Sequence, residues 1–215
     1  MSRPPIRIAV LVSGRGRGSN MQAIVDACGS GRINGEVVLV LGVSDEAPAV
    51  QRAREAGVKT LIISPNDYSR AVDYDTAVLR ALEDHAVDLV CLAGYMRLLG
   101  DETVRRYHNR IMNVHPALIP SFAGKGMFGR HVHEAVIESG VKFTGVTVHF
   151  VDEEYDHGPI VMQAVVPVEE DDTPDSLAAR VLPVEHDTYT AAIALFAEGR
   201  IVVNGRRTRI LPSSP

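Results

Sequence analysis

Some residue types that stabilise or anchor proteins are scarce in this sequence. It has no tryptophan and two cysteines, and aromatic residues make up 5% of 215 positions. Cys28 and Cys91 each lie among apolar residues, so we predict two buried, reduced thiols and no disulfide framework. This favours the reducing cytoplasm over a secreted, disulfide-rich class.

Long apolar runs are also absent. The first apolar run, Ile6–Val12, has the length of a strand, and no apolar segment with a small-residue cleavage site stands at the start of the chain. We therefore predict neither a signal peptide nor a membrane span.

Clustered positive charge is missing as well. The net charge is -5, and Lys and Arg form no block. A nucleic-acid partner is therefore not expected, and a small anionic ligand held by a local site fits better. With 46% hydrophobic residues, the chain can bury one sizeable core, and we predict a single domain over residues 1–215.

In the first half of the chain, short apolar runs alternate with segments of helical periodicity. Strands are predicted at Ile6–Val12, Glu36–Val43, Lys59–Ile63, Val87–Ala93 and Ile111–His115. Helices are predicted at Met21–Ala27, Ala47–Ala56, Tyr68–His85 and Asp101–Tyr107. Strands that are apolar throughout indicate an α/β fold with a mostly parallel central sheet and helices on both faces.

The second half has a different pattern. A helix is predicted at His131–Ser139, a half-exposed strand at Phe143–Val151 and a further strand at Ile160–Val168. A long helix follows at Pro174–Gly199, with an interruption near Pro183. The chain then forms a hairpin with Asn204-Gly205 as its turn, which gives an antiparallel C-terminal portion.

The segment SGRGRGSN, residues 13–20, follows the first strand and opens the first helix, with Ser19 or Asn20 as the cap. Its glycines let the backbone approach an anion, and the free N–H groups of a helix N-terminus favour phosphate. Arg15 and Arg17 add positive charge. The alternative is a mobile glycine turn without a ligand.

The spacing within this loop limits the kind of ligand. In a dinucleotide fingerprint, Gly14 and Gly16 would be followed by a third glycine, but Ser19 stands there, and Asp45 lies rather far beyond the second strand. A Walker loop would need Gly-Lys followed by Ser or Thr, which is absent. The loop therefore fits a single phosphate better than a dinucleotide.

Asn113 and His115 stand two apart at the end of the fifth strand, so both side chains project from the same face. The carboxyl ends of parallel strands are where open α/β sheets bind ligands, and Pro116 and Pro120 keep the next loop extended. An amide beside an imidazole can stabilise a carbonyl oxygen that becomes an oxyanion. The alternative is a structural histidine at a strand end.

A carboxylate beside the imidazole would favour the protonated form of His115 and fix its orientation. Such a partner would therefore favour a catalytic role over a structural one. Asp156 precedes a His-Gly-Pro turn that can aim a side chain inward, whereas Asp152, Glu153 and Glu154 are expected to be solvated. A catalytic metal is not expected, because no His or Cys spacing typical of a metal site occurs. The candidate histidines are spread over several segments, at His131, His133, His149 and His157.

Five segments in this order resemble the phosphoribosylglycinamide formyltransferase family, and they span nearly the whole chain: SGRGRGSN, LAGYMRLL, NVHPALIPSF, TGVTVHFVDEEYDHGPIVMQ and EHDTY. The resemblance implies a Rossmann-like formyltransferase fold. It also implies 10-formyltetrahydrofolate as co-substrate and the amine of glycinamide ribonucleotide as acceptor, in de novo purine biosynthesis. The products would be N-formylglycinamide ribonucleotide and tetrahydrofolate.

The resemblance also implies roles for particular residues. The catalytic set matches Asn113, His115 and Asp156. The ribonucleotide-binding set matches Gly18, Ser19 and Asn20 for the phosphate and Glu185 for the ribose. The folate-binding set matches Arg70, Met96, Arg97, Leu98, Leu99 and Asn113. Arg70 has a plain alternative as a surface arginine.

The sequence departs from the family pattern at three places. The phosphate loop carries an extra Arg-Gly, from which we expect a bulged entrance and an intact Gly-Ser-Asn. Leu182 and Pro183 replace polar residues, and a kink at Pro183 would shift Glu185. The segment AGKGMFGRHVHE, residues 123–134, is long and glycine-rich, and we predict that it is mobile near the nucleotide.

Three other functions were weighed against this one. Methionyl-tRNA formyltransferase has an added C-terminal domain and a different first loop, and the acidic charge of this chain fits tRNA poorly. Formyltetrahydrofolate deformylase uses water as acceptor, whereas the phosphate loop favours a ribonucleotide. A non-catalytic nucleotide-binding module would not need all three catalytic positions filled. A homodimer is left open as the assembly.

Overall fold

The computed structural model of the protein describes residues 3–14 and 16–213. The strands are β1 (Ile6–Leu11), β2 (Gly35–Gly42), β3 (Thr60–Ile62), β4 (Leu89–Leu92), β5 (Ile111–His115), β6 (Phe143–Phe150), β7 (Ile160–Pro167), β8 (Ile201–Asn204) and β9 (Arg207–Ile210). The α-helices are α1 (Ser19–Gly29), α2 (Pro48–Glu55), α3 (Ala71–Asp84), α4 (Asp101–Arg106), α5 (Arg130–Ser139) and α6 (Pro174–Ala197).

The strands of the described residues form two sheets. The larger has seven strands in the order β3-β2-β1-β4-β5-β6-β7, and the smaller pairs β8 with β9. Strand β1 runs parallel to β2 and β4, and β2 runs parallel to β3. The pairs β6–β7 and β8–β9 are antiparallel. The predicted α/β class, with a parallel sheet and an antiparallel C-terminal portion, is confirmed.

The chain divides into two compact units, one up to Met112 and one from Asn113 onward. In the first unit, strands β1, β2 and β4 are almost wholly buried, and they supply core residues such as Ile8, Leu39 and Leu89. In the second unit, α6 packs against β6, β7 and α5. The prediction of one domain over residues 1–215 is not tested by this division and stays a prediction.

The start of α1 differs from the prediction of a Ser or Asn cap. The capping residue is Gly18, and Ser19 and Asn20 are already helical. Gly18 has a φ of 75°, and a Cβ at this position would lie 2.8 Å from Cα of Ala49. A left-handed glycine pressed against a neighbouring backbone therefore makes this turn, in place of a capping side chain.

Two further boundaries are wrong by a few residues. Helix α3 begins at Ala71 and not at Tyr68, because Pro65–Asp67 forms a separate 3-10 turn and Tyr68 stays extended. In the C-terminal hairpin, Asn204 pairs with Arg207, so the turn residues are Gly205 and Arg206. Gly205 has a φ of 57°, and the first residue of a two-residue hairpin turn needs such a positive φ.

The predicted interruption of the long helix is also wrong. Helix α6 runs from Pro174 to Ala197 with Pro183 inside it. Proline removes one backbone hydrogen bond, but Pro183 is exposed, so the carbonyl that loses its donor can be hydrated. The buried side chains of α6, including Leu177 and Tyr189, hold the two halves of the helix on the same core.

Two predictions about burial are wrong. Strand β6 was expected to be half-exposed, but only its first residue, Phe143, is exposed, because β6 is an interior strand with α6 packed on it. Cys28 is half-buried, whereas Cys91 is buried as predicted, and both are free thiols. Burial and the nearby Glu36 carboxylate raise the pKa of the Cys28 thiol to about 11.

In the part of the chain that the structure describes, no helix combines the length and the apolar character needed to cross a membrane.

We predict that Gly18→Ala destabilises the protein. A side chain here has to adopt a left-handed φ and displace Ala49, so we expect the free energy of unfolding to fall by about 2–4 kcal/mol. Urea unfolding followed by circular dichroism measures it. Gly16→Ala is the matched control, because a Cβ at Gly16 meets nothing within 4 Å. Equal stability of both variants would contradict the argument.

Candidate active site

Asn113 and His115 lie on β5, whose observed bounds are those predicted. Strand β5 reads Ile-Met-Asn-Val-His, and residues two apart share a face of a strand. The His115 side chain is buried, and Asn113 is half-buried. Two polar groups placed together at a buried strand end need partners, which the rest of the second unit provides.

Asp156 is the main partner, and the structure brings it to both residues. Its Oδ1 accepts a hydrogen bond from Nδ2 of Asn113 at 3.4 Å, and its Oδ2 lies 3.6 Å from Nδ1 of His115. Asp156 has a φ of 52°, unusual for a residue with a side chain, and its carboxylate is only 10% exposed. The turn before Gly158 therefore aims this carboxylate inward, as predicted.

His149, on β6, completes the cluster. Its Nδ1 lies 2.8 Å from its neighbour's carbonyl, Phe150 O, and a carbonyl can only accept, so Nδ1 carries the proton. In the neutral imidazole, the lone pair on Nε2 accepts a hydrogen bond from Nδ2 of Asn113 at 3.3 Å, and a proton at Nε2 would face Oδ1 of Asp156, 3.6 Å away. His149 and Asp156 thus share the amide hydrogens of Asn113 and fix its orientation.

The neutral tautomer of His115 follows from the same logic. Its Nε2 lies 2.8 Å from the carbonyl oxygen of Phe122, so Nε2 carries a proton in the neutral form. A second proton would bind at Nδ1, facing the Asp156 carboxylate.

The pKa of His115 differs from the sequence-based expectation of a favoured protonated form. Burial lowers this pKa below the usual histidine value, although Asp156 and the Phe122 carbonyl act in the opposite direction. The neighbouring His149 lowers it further. Without substrate, the imidazole is therefore biased toward its neutral form, with Asp156 placed to receive the proton at Nδ1 when it arrives.

The tripeptide Phe122–Gly124 holds both members of the His115–Asp156 pair. The Phe122 carbonyl binds His115, and the Gly124 N–H donates to Oδ2 of Asp156 at 3.0 Å. Phe122 and Gly124 have φ values of 53° and 96°, so this segment turns sharply to present a carbonyl and an N–H to the same pair. The backbone thus sets the spacing of these two side chains.

The Asp156 carboxylate is ionised in spite of its burial. Desolvation alone would raise its pKa, but His149, His115 and the Gly124 N–H together outweigh burial and lower it. The cluster therefore contains one buried negative charge and two imidazoles, with Asn113 donating to that charge.

In the first unit, the predicted phosphate loop ends at the N-terminus of α1. The first helical bond runs from Gln22 N–H to Gly18 O, so the N–H groups of Ser19 and Asn20 precede it. Within the described residues, Oγ of Ser13 and Oδ1 of Asn20 are buried without a hydrogen-bond partner. The helix N–H groups and the Ser13 hydroxyl can donate hydrogen bonds to an anion, whereas Oδ1 of Asn20 can only accept one, for example from a hydroxyl of the same ligand.

Other residues near this loop bear on the ligand. Asp45 is bound by Arg54, with 2.5 Å between Oδ1 and Nη2, so it is not free to bind a ribose as a dinucleotide site requires. Arg17 is exposed, and Arg15 lies outside the described residues. These facts agree with a loop for a single phosphate.

Of the predicted folate-contact residues, Arg70 and the four residues 96–99 lie in the first unit, whereas Asn113 lies in the second. Met96 and Leu98 are 46% and 44% exposed, Leu99 is buried, and Arg97 stacks over the ring of Tyr74 at 5.3 Å. Arg70 caps α3, and its guanidinium is paired in a bidentate way with Asp73. The Arg70–Asp73 ion pair is therefore local to the start of α3, as expected if Arg70 is a plain surface arginine.

The remaining predicted residues lie in the second unit. Glu185 is half-buried on α6. Of the acids expected to be solvated, Glu153 and Glu154 are exposed, but Asp152 accepts a hydrogen bond from Nδ1 of His157 at 2.7 Å.

Among residues 3–14 and 16–213, no three or more His, Cys, Asp or Glu side chains are arranged to hold a metal ion.

Sequence reasoning missed three contributors to the cluster: His149, Phe122 and Gly124. A signal existed for His149, because a histidine inside the apolar strand Phe143–Phe150 must find a buried partner. For Phe122 and Gly124 the contribution is made by backbone atoms, which the side-chain pattern does not record.

Comparison with known proteins agrees with this geometry. The chain matches the family described as formyl transferase over residues 6–193. It is 39% identical to phosphoribosylglycinamide formyltransferase of Escherichia coli K12, over 91% of this chain and 89% of that protein. The crystal structure of glycinamide ribonucleotide transformylase 1 from Symbiobacterium toebii has 47% identity and a TM-score of 0.91, covering 97% of this chain and 95% of that chain.

Some relatives are much longer. The chain is 39% identical to the trifunctional purine biosynthetic protein adenosine-3 of Gallus gallus over 92% of its own length, but it spans only 19% of that protein. The predicted Rossmann-like formyltransferase fold and the resemblance found in the sequence are confirmed. This chain belongs to the formyl transferase family.

Proposed function

We propose that the protein transfers a formyl group from 10-formyltetrahydrofolate to the primary amine of glycinamide ribonucleotide, a step of purine biosynthesis. The observation that carries this proposal is the buried cluster in which Asn113 and His115 converge on Asp156. A formyl transferase needs an amide donor for the formyl oxygen and a group that moves a proton, and this cluster supplies both.

Asn113 is the proposed oxyanion donor. Its two hydrogen bonds, of 3.3 Å to His149 and 3.4 Å to Asp156, are long, so either hydrogen can turn to a formyl oxygen at little cost. When the amine nitrogen bonds to the formyl carbon, that oxygen gains negative charge. The donor is then already oriented, and this preorganisation lowers the barrier.

His115 and Asp156 are the proposed proton carriers. The attacking amine loses one proton as its bond to the formyl carbon forms, and the folate nitrogen gains one as its bond to that carbon breaks. His115 accepts a proton at Nδ1, where the carboxylate 3.6 Å away stabilises the imidazolium, and releases it to the leaving nitrogen. No covalent enzyme intermediate and no metal ion enter this scheme.

The binding roles follow the family pattern. Gly18, Ser19 and Asn20 hold the ribonucleotide phosphate, and Glu185 binds the ribose. The folate contacts are the positions given by the resemblance: Arg70, Met96, Arg97, Leu98, Leu99 and Asn113. The co-substrate is 10-formyltetrahydrofolate, the partners are small molecules, and we place the protein in the cytoplasm as one formyltransferase domain.

The acceptor separates this function from hydrolysis of the same donor. A deformylase delivers water and needs no phosphate site. Here the N–H groups that precede the first helical bond of α1 favour a phosphorylated acceptor, as does the Ser13 hydroxyl, which has no partner among the described residues.

The first test is absorbance-monitored conversion of 10-formyl-5,8-dideazafolate with and without glycinamide ribonucleotide. We expect deformylation that depends on the ribonucleotide. Equal deformylation without it would identify a hydrolase, and no conversion in either case would refute the transferase assignment.

We predict that His115→Ala lowers kcat by about 10²–10⁴-fold, because it removes the proton carrier. The far-ultraviolet circular dichroism should stay unchanged. His131→Ala is the control, since that imidazole is on the surface with 65% of its side chain exposed, and its turnover should match the unmutated protein. Near-normal turnover of His115→Ala would remove this residue from the mechanism.

We predict that Gly124→Ala lowers kcat/KM by about 10–100-fold, the effect of losing a hydrogen bond to a charged group. An alanine resists a φ of 96°, so the N–H would turn away from Asp156, whose pKa would rise and shift the acid limb of the pH profile.

Gly126→Ala is the matched control for this prediction. Gly126 has a φ of 92°, and a Cβ at either glycine meets nothing within 4 Å, so the backbone strain is the same. An equal loss in both variants would show that general loop strain, and not the bond to Asp156, sets the rate.

A further inference from the structure

The segment Tyr95–Gly100 has no regular secondary structure, yet it is tied to α3 at both ends. At its start, the hydroxyl of Tyr95 lies 2.8 Å from the hydroxyl of Tyr74, and both side chains are buried. At its end, the Gly100 backbone lies against the Asp75 carboxylate, and its N–H acts to lower the pKa of that carboxyl. Consecutive residues of one helix therefore hold the two ends of this segment, and we name the arrangement the α3 clamp.

The fit at the Gly100 end is tight. A Cβ on Gly100 would lie 2.2 Å from Oδ2 and 2.6 Å from Cβ of Asp75, so only glycine lets the segment come this close to α3. Burial raises the pKa of the Asp75 carboxyl, while the guanidinium of Arg97 and the Gly100 N–H act to lower it. The side chain of Asp75 is thus committed to this segment.

The hydroxyl pair at the other end is buried more deeply. Tyr74 and Tyr95 are 3% and 8% exposed, and desolvation raises the pKa of both phenols, so both hydroxyls stay protonated at neutral pH. Each hydroxyl then has the other as a buried partner, and removing one leaves the other unsatisfied. Tyr68 packs edge-on against the Tyr74 ring at 5.9 Å and limits its movement.

Between its two fixed ends, the segment turns apolar side chains outward. Met96 and Leu98 are each nearly half exposed, and Arg97 lies over the Tyr74 ring, which also links the middle of the segment to α3. A loop whose purpose was only to connect β4 to α4 would not need polar anchors at both ends and exposed apolar residues between them. This is the arrangement of a preorganised ligand-contact surface.

We infer that Tyr74 and Tyr95 are positioning residues for the formyl donor. Their hydroxyl pair fixes the start of the segment so that Met96, Arg97 and Leu98 are held ready for the flat, fused-ring heterocycle of the folate. The inference rests on the proposed function, and it adds two residues to which the motifs assigned no role. Neither tyrosine touches the reacting atoms, so their effect is on donor binding and not on the chemical step.

The test uses Tyr95→Phe and Tyr74→Phe in the full-length chain, with steady-state kinetics and direct titration of 10-formyl-5,8-dideazafolate. We expect the donor KM and the dissociation constant to rise about 3–10-fold, the effect of one neutral hydrogen bond. We expect kcat and the KM for glycinamide ribonucleotide to stay within about twofold, since these steps do not use the clamp.

Two further variants make the test specific. Tyr107→Phe removes a phenolic hydroxyl from a tyrosine that is 3% exposed and in the same unit but is not a residue of the clamp. The Tyr107 ring is contacted by the guanidinium of Arg110, 4.7 Å from the ring centroid. This variant should bind the donor normally. The double variant Tyr74→Phe/Tyr95→Phe leaves no unpaired hydroxyl, so its donor affinity should be no worse than that of either single variant.

The outcomes separate this inference from the proposed function. Unchanged donor affinity in both single variants, or an equal rise of both KM values, would overturn the clamp while leaving the transferase intact. If the unmutated protein binds the dideazafolate without transferring its formyl group, the proposed function fails, and weaker binding by Tyr95→Phe still supports the clamp. If Tyr95→Phe fails to fold, the double variant decides. Restored stability with weaker donor binding supports the clamp, and restored stability with normal donor binding overturns it.

Discussion

The buried charge of Asp156 is the constraint on which the catalytic half of the structure depends. A carboxylate that is 10% exposed is stable only if hydrogen-bond donors and positive groups replace the water it has lost. The second unit supplies these groups from three separate places: the end of β5, the end of β6 and the turn that contains Gly124. Each of these places is therefore held where Asp156 needs it.

The same charge explains why the histidines differ. His149 is oriented by the carbonyl of Phe150 and directs Nε2 to Asn113 and Asp156, whereas His115 is oriented by Phe122 and directs Nδ1 to the carboxylate. Burial disfavours the imidazolium of His115, and Asp156 favours it. These opposing effects suit the proposed role of His115 as a proton carrier, because transfer between two nitrogens requires a group that both accepts and releases a proton.

The sequence predicted those strands and helices in which apolar residues recur at a regular spacing. Strand β5 was predicted with its observed bounds, because apolar and polar residues alternate from Met112 to His115, directly before Pro116. The α6 prediction failed at Pro183, since local propensity at one exposed position is weaker than the packing of the buried face. The α1 cap was missed because contact with Ala49, 31 residues away along the chain, decides that turn.

For the site, the motif pattern named Asn113, His115 and Asp156, and the structure brings these three together. It could not name Phe122 or Gly124, because any residue has a carbonyl and nearly any has an N–H. What makes these two useful is their backbone angle, with φ values of 53° and 96°, and that angle is set by the folded loop. The Tyr74–Tyr95 pair, 21 residues apart, is likewise a contact that exists only after folding.

Gly18 has a consequence for how this loop can change in evolution. The turn is pinned by the fit of one glycine against Ala49, so the start of α1 does not depend on the path the chain takes to reach it. Residues inserted before Gly18 lengthen the loop without moving the N–H groups at the start of α1. In the proposed phosphate site, the length of the loop is therefore independent of the geometry of the N–H groups at the start of α1, and the extra Arg-Gly can change the entrance while that geometry stays fixed.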